Sequence, residues 1–153
     1  MRSASGQVIL LVEDAKDDEV LTLRAFEKAG IQNEVVVARD GAVALDYLFG
    51  TGDYAGRNPE EVPQVVLLDL NLPRIGGLEV LRRMREDPRT KLVPVIVLTS
   101  SKEDEDMVGC YALRANCFVR KPVCFNEFAE AVKNLGMFWV LVNEPQPIVR
   151  RTP

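Results

Sequence analysis

In this sequence, polar and charged residues follow directly or closely after apolar runs of the kind that form β-strands. The runs and their polar followers are Val8–Val12 with Glu13 and Asp14, Val65–Leu68 with Asp69, Pro94–Leu98 with Thr99, and Cys117–Val119 with Lys121 two residues on. Three crowded carboxylates repel one another unless a cation joins them, and such hard oxygen ligands suit Mg²⁺. A hydroxyl and an ammonium beside them are the donors that a phosphoryl group needs. The pattern therefore indicates magnesium-assisted phosphoryl chemistry.

The elements that must position these side chains alternate between strand and helix. Continuous apolar runs predict strands buried on both faces of a parallel sheet. The predicted strands are Val8–Val12, Glu34–Ala38, Val65–Leu68, Pro94–Leu98 and Cys117–Val119, and the predicted helices are Asp17–Ala29, Ala42–Phe49, Leu78–Arg85, Lys102–Leu113 and one from about Asn126 past Trp139. This order predicts one α/β domain, a doubly wound five-stranded parallel sheet with five helices. Ligands of such sheets bind beyond the carboxyl ends of the strands, so the polar residues are expected to converge there.

Each of these residues has an ordinary explanation if it is taken alone. An acidic pair after a strand is usually a solvated loop or a helix cap, Thr99 could be a capping hydroxyl, and Lys121 could lie on the surface. Their conjunction favours a site, because each one falls at the same end of a different strand. Arg82, Arg83 and Arg85, in contrast, are expected to form an exposed helix face.

Composition excludes several functional classes. The 153 residues include no histidine, which excludes Ser-His-Asp catalysis, histidine metal ligands and a phosphohistidine on this chain. A net charge of −4 disfavours non-specific binding to nucleic acid. Cys110, Cys117 and Cys124 form no C-x-x-C pair, which predicts buried thiols in a reducing compartment. The short polar segment 1–6 and the absence of long apolar runs predict no signal peptide and no membrane span, hence a cytoplasmic protein.

Four segments together resemble the receiver domain of two-component response regulators, the CheY-like fold within the flavodoxin-like class. They are Leu-Leu-Val-Glu13-Asp14, Val-Val-Leu-Leu-Asp69-Leu-Asn-Leu-Pro73, Val-Ile-Val-Leu-Thr99-Ser100 and Phe118-Val-Arg-Lys121-Pro122. The resemblance implies a receiver domain over 7–143, with tails at 1–6 and 144–153. The long stretch Gly50–Pro63 and the end of the chain resemble the small single-domain regulators associated with bacterial phytochrome histidine kinases.

The resemblance also implies a role for each matching residue. Asp69 would be the phosphoacceptor. Mg²⁺ would be held by Glu13, Asp14, Asp69 and the backbone carbonyl of Asn71. Thr99 and Lys121 would bind the phosphoryl group, and Thr99 and Phe118 would form the conformational switch, although Phe118 has no hydroxyl where many relatives carry tyrosine. The Lys121–Pro122 peptide bond is expected to be cis.

Three functions fit some or all of these residues. The favoured one is phosphorelay signalling: the protein accepts a phosphoryl group from a histidine kinase and signals through protein contacts, with no DNA-binding output domain and no role as a turnover enzyme. A phosphohydrolase of the haloacid dehalogenase type would need a second aspartate two residues after Asp69, where Asn71 stands. A receiver that only mediates interactions is disfavoured, because the residues of the site are all present: Glu13, Asp14, Asp69, Thr99 and Lys121.

The end of the chain predicts self-association. Met137–Val142 is apolar all round, so part of it is expected to stay exposed in a monomer. A two-fold homodimer through the last strand and last helix would cover it. The alternative is that this surface is reserved for the kinase and the free protein is monomeric.

Overall fold

A computed structural model of the chain contains one sheet of five parallel strands. The structure describes residues 8–99, 109–121, 126 and 130. The strands are β1 (Ile9–Val12), β2 (Val35–Ala38), β3 (Val65–Asp69), β4 (Val95–Thr99) and β5 (Cys117–Arg120). Their order across the sheet is β2-β1-β3-β4-β5. The predicted doubly wound parallel sheet is therefore confirmed, with strand boundaries within one residue of those expected.

Helices connect the strands on both sides of the sheet. Three complete helices are described: α1 (Lys16–Lys28), α2 (Gly41–Phe49) and α3 (Gly77–Glu86). A further helix, α4, includes residues 109–112, and residues 126 and 130 are also helical. Most of the predicted helix Lys102–Leu113, and nearly all of the last helix, lie outside the described residues.

The strands are buried on both faces because alternate side chains enter two different apolar clusters. Ile9 and Leu11 of β1 pack with Ala25 and Phe26 of α1. The intervening strand residues face the opposite cluster, which contains side chains of α2, α3 and α4, among them Leu48, Val80, Leu81, Met84 and Cys110. A strand with helices on both sides needs apolar residues at every position, which is why the runs are continuous rather than alternating.

Two close approaches hold the loop after β3, one against the end of β3 and one against the start of α2. A Cβ added at Gly77 would lie 2.7 Å from the Cα of Leu70 and closer still to the carbonyl oxygen of Asp69. A Cβ added at Gly41 would likewise collide with the backbone of Ile75. Only glycine permits these backbone contacts, which fix the carboxyl end of β3.

The stretch Gly50–Pro63, expected to be a long loop, is packed onto α2. It contains a 3-10 helix, Gly52–Tyr54. The guanidinium of Arg57 lies 3.9 Å from the centre of the Tyr47 ring and donates a 2.6 Å hydrogen bond to the Tyr47 carbonyl. Tyr54 meets the same ring edge-on, at 5.1 Å between ring centres.

The expectation that Arg85 belongs to an exposed helix face is wrong. Its guanidinium is half-buried and donates hydrogen bonds to backbone carbonyls of two separate turns, at Thr90, Lys91, Val93, Leu113 and Arg114. Burial lowers the pKa of Arg85 from its usual value. Arg85 therefore joins the end of α3 to the turn that leads into β5. Arg82 and Arg83 are exposed, as expected.

Candidate functional site

The strand register brings three of the predicted site residues to one edge of the sheet. Val12 of β1 pairs with Leu68 of β3, so Glu13 and Asp69 come next on adjacent strands. Thr99 of β4 pairs with Arg120 of β5, so Lys121 begins directly after the same edge. The strand order reverses between β1 and β3, the position at which ligands bind in sheets of this kind.

The ammonium group of Lys121 lies among three carboxylates. Its Nζ is 2.8 Å from Oδ2 of Asp69, 3.1 Å from Oε2 of Glu13 and 2.9 Å from Oδ2 of Asp18. The Lys121 side chain is only 11% exposed. An ammonium has three N–H donors, so these three acceptors can use all of them.

Glu13, Asp14 and Asp69 form a cluster suited to a metal ion. One carboxylate oxygen from each lies within 4.8 Å of the others. Glu13 and Asp69 are buried, whereas Asp14 is exposed. Oε1 of Glu13 is buried with no hydrogen-bond partner among the described residues. Because a buried carboxylate oxygen is costly when left unpaired, this atom and the all-oxygen donor set fit a hard divalent cation.

Both oxygens of the Asp69 carboxylate are held. Oδ2 accepts from Lys121, and Oδ1 accepts a 3.0 Å hydrogen bond from the backbone N–H of Asn71. The Asn71 side chain is exposed. The carboxylate is thus fixed at the strand end by one side chain and one main-chain group.

The electrostatics of the site are unbalanced. Burial, followed by the neighbouring Asp69 carboxylate, raises the pKa of Glu13 to about 7. Burial alone would lower the pKa of Lys121, but hydrogen bonds to Asp69 and Asp18 outweigh it and the pKa is raised. One ammonium therefore faces an excess of carboxylates, and a further cation would relieve the repulsion.

The two predicted switch residues are described to different extents. Phe118 is half-buried against the core, and its ring centre lies 4.7 Å from that of Tyr111 in α4. Thr99 is the last residue of β4, at the same edge as Asp69. The Thr99 side chain and the Lys121–Pro122 bond lie outside the described residues, so the switch and the cis bond stay predictions.

Sequence reasoning missed Asp18. This residue lies in the first turn of α1, and its carboxylate contacts Lys121. The available signal was its position four residues after Asp14. A helix that starts directly after the acidic pair places its first turn beside the carboxyl ends of the strands.

Comparisons with known proteins agree with this geometry. The family model described as the response regulator receiver domain matches residues 9–133. Response regulator Rcp1 of Synechocystis sp. is 37% identical over 134 residues, which are 88% of this chain and 89% of Rcp1. The crystal structure of the Mn²⁺-bound form of Rcp1 has a TM-score of 0.73 at 36% identity, covering 88% of this chain and 94% of that chain.

Two bacteriophytochrome response regulators are more similar to this chain than Rcp1 is. The structure of RtBRR has a TM-score of 0.81 at 50% identity and covers 92% of this chain and 84% of that chain. The structure of AtBRR has a TM-score of 0.79 at 54% identity and covers 90% of this chain and 98% of that chain. Among the described residues, no helix has the length and apolar character required to cross a membrane. The protein belongs to the response regulator receiver domain family of two-component signalling and is similar to its phytochrome-associated members.

Proposed function

We propose that Asp69 is the phosphoacceptor of this receiver and that it takes its phosphoryl group from a phosphohistidine of a partner kinase. The observation that carries the proposal is the placement of the Asp69 carboxylate, 2.8 Å from the Lys121 ammonium and within 4.8 Å of the acidic pair. An Asp69 oxygen forms a bond to phosphorus while the phosphorus–nitrogen bond breaks, and the imidazole keeps the electron pair of that bond.

The surrounding residues offset the charge of the transferring group. Lys121 can donate to a phosphoryl oxygen, and we assign the Thr99 hydroxyl the same role. Glu13, Asp14, Asp69 and the backbone carbonyl of Asn71 would hold Mg²⁺, which supplies charge neutralisation at the phosphoryl oxygens when it is bound. The Mn²⁺-bound form of Rcp1 supports a divalent cation in a relative of this chain.

Incubation with acetyl phosphate tests this function. We expect one phosphoryl adduct in the intact mass when Mg²⁺ is present and none after chelation. Asp69→Asn should abolish the adduct, whereas the matched variant Asp53→Asn should keep it, because Asp53 is an exposed residue of the 3-10 helix. An adduct that persists in Asp69→Asn, or without a divalent cation, would overturn the assignment.

We infer that the receiver is a signalling substrate rather than a turnover enzyme. A phosphohydrolase of the haloacid dehalogenase type would use an acid two residues after its nucleophile, and the amide of Asn71 cannot transfer a proton. Sustained turnover of a generic phosphate ester would contradict this inference.

We propose a bacterial phytochrome histidine kinase as the phosphoryl donor. The similarity to RtBRR and AtBRR, both bacteriophytochrome response regulators, supports this partner.

We place the receiver at 7–143, between tails at 1–6 and 144–153, and assign it output through protein contacts without nucleic acid. We also propose a cytoplasmic location, which the free thiol of Cys117 supports.

We further propose a homodimer through β5 and the last helix. The support is the apolar segment Met137–Val142, which lies outside the described residues, and the position of β5 at the sheet edge. Light scattering should give about twice the monomer mass of 17.1 kDa. A monomer would leave this surface to the kinase, and a dimer unaffected by Trp139→Ala and by truncation after Leu135 would place the contact elsewhere.

A further inference from the structure

Within the part of the chain that the structure describes, Asp18 is the one carboxylate that contacts Lys121 and lies outside the candidate metal cluster. Among the described residues, Asp69, Glu13 and Asp18 approach Nζ of Lys121 within 3.1 Å. Asp69 and Glu13 also belong to the group whose oxygens converge on the metal position, and Asp18 does not. The three contacts therefore differ in what happens to them during the reaction.

Two of the three carboxylates that contact Lys121 have other roles during phosphoryl transfer. Asp69 must present an oxygen to phosphorus, and Glu13 is a candidate ligand of the divalent cation. Each N–H of Lys121 that is released from these residues becomes available to the phosphoryl oxygens. Asp18 keeps its contact, since nothing in the reaction competes for its carboxylate.

We propose that Asp18 is a positioning residue for phosphoryl transfer, which holds the ammonium of Lys121 at the mouth of the site while Asp69 and Glu13 engage the phosphoryl group and the cation. The inference rests on the proposed phosphoacceptor role of Asp69. A lysine side chain has four rotatable bonds, and one fixed carboxylate limits where its ammonium can lie. Partners that orient the ligands of metal sites in a comparable way change metal affinity or activity by about 10- to 100-fold.

The contact is well placed for this role. Asp18 lies in the first turn of α1, so a helix rather than a loop fixes its carboxylate. The Asp18 side chain is 29% exposed and Lys121 only 11%, so the pair is partly screened from water. Thr22 donates to the Asp18 backbone carbonyl at 2.8 Å, a contact that a change of the Asp18 side chain leaves intact.

The test compares two neutral variants of neighbouring aspartates. Asp18→Asn removes one negative charge and keeps the side-chain size. Asp17→Asn removes the same charge from an exposed residue of the same helical turn, and so serves as the control. The measured quantity is the rate constant of phosphorylation by acetyl phosphate with Mg²⁺, at low and at high ionic strength.

A positioning role for Asp18 and a simple long-range effect of its charge predict opposite changes in the phosphorylation rate. Acetyl phosphate is an anion, so loss of a nearby negative charge should speed its reaction in both variants, and salt should remove that effect. Positioning predicts that Asp18→Asn alone is slower than wild type, by about tenfold, at both ionic strengths. Asp18→Glu retains the carboxylate and should recover most of the lost rate.

The outcomes separate this inference from the proposed function. A wild-type protein that acquires no phosphoryl group on Asp69 overturns the proposed function. A reactive wild type whose Asp18→Asn variant reacts as fast as Asp17→Asn overturns only the role of Asp18. A slow Asp18→Asn variant that Asp18→Glu does not rescue, while both unfold at the wild-type temperature, also overturns it.

Discussion

Replacing Gly77 with alanine should displace the carboxyl end of β3, the strand that presents Asp69. The added Cβ would lie 2.7 Å from the Cα of Leu70 and 3.0 Å from the carbonyl carbon of Asp69. Carbon atoms pack comfortably at about 3.5–4.0 Å, so the backbone must move by about 1 Å. These neighbours are backbone atoms and cannot rotate away.

The expected losses of stability and of phosphorylation rate follow from this overlap. Overpacking of a well-packed interior costs about 1–3 kcal/mol, which lowers the melting temperature of a chain of this size by roughly 3–10 °C. A displacement of about 1 Å at the nucleophile should also slow phosphorylation, by about tenfold or more. Urea unfolding and the acetyl phosphate rate measure the two effects separately.

Gly56→Ala provides the matched control for this variant. A Cβ at Gly56 would meet no atom within 4 Å. Its effect on the free energy of unfolding should therefore be below about 1 kcal/mol, and stabilising if it is seen. A Gly77→Ala protein with the stability and phosphorylation rate of Gly56→Ala would refute the claim that this close approach positions Asp69.

Arg85, Glu13 and Asp40 each give a further prediction. Arg85→Met should lower the free energy of unfolding by about 2–4 kcal/mol in urea, because the partly buried carbonyls of Thr90, Val93 and Leu113 lose a charged donor. Arg83→Met on the exposed face of α3 should change it by less than about 0.5 kcal/mol. Without divalent cations, the pKa of Glu13 is about 7 in the folded protein, so the folded state binds this proton more tightly than the unfolded state does. The protein should therefore lose up to about 3 kcal/mol of stability as the pH rises from about 4.5 to about 7. Urea unfolding of wild type and Glu13→Gln at pH 5 and pH 8 should show that loss in wild type alone, and an equal loss in both proteins would contradict it. Asp40→Ala should destabilise by about 1 kcal/mol in thermal unfolding, because Asp40 caps α2 by accepting from the Val43 N–H, and Asp40→Asn should restore most of the stability.

Much of the sheet and of the site could be predicted because both depend on where strands end. Continuous apolar runs mark strands buried on both faces, and parallel strands place their carboxyl ends at one edge. The approach of Glu13, Asp69 and Lys121 follows from these two rules. The prediction needed no knowledge of the helices beyond their presence.

Contacts made by helix side chains were harder to predict. The helix was expected to start at Asp17, but α1 starts at Lys16, and one residue turns a helix by about 100°. The spacing from Asp14 places Asp18 in the first turn of the helix, but the direction in which that turn faces depends on the residue at which the helix begins. Arg85 reads as one of several surface arginines, and its burial depends on turns that follow it by up to 29 residues along the chain.

Identifying the modified residue tests the central claim most directly. Borohydride reduces an aspartyl phosphate to homoserine, which tandem mass spectrometry locates in the sequence. After reaction with acetyl phosphate and Mg²⁺, we predict homoserine at position 69. Homoserine at Asp14 or Asp18 instead, or none in a protein that carries the adduct, would contradict the assignment of Asp69 as the phosphoacceptor.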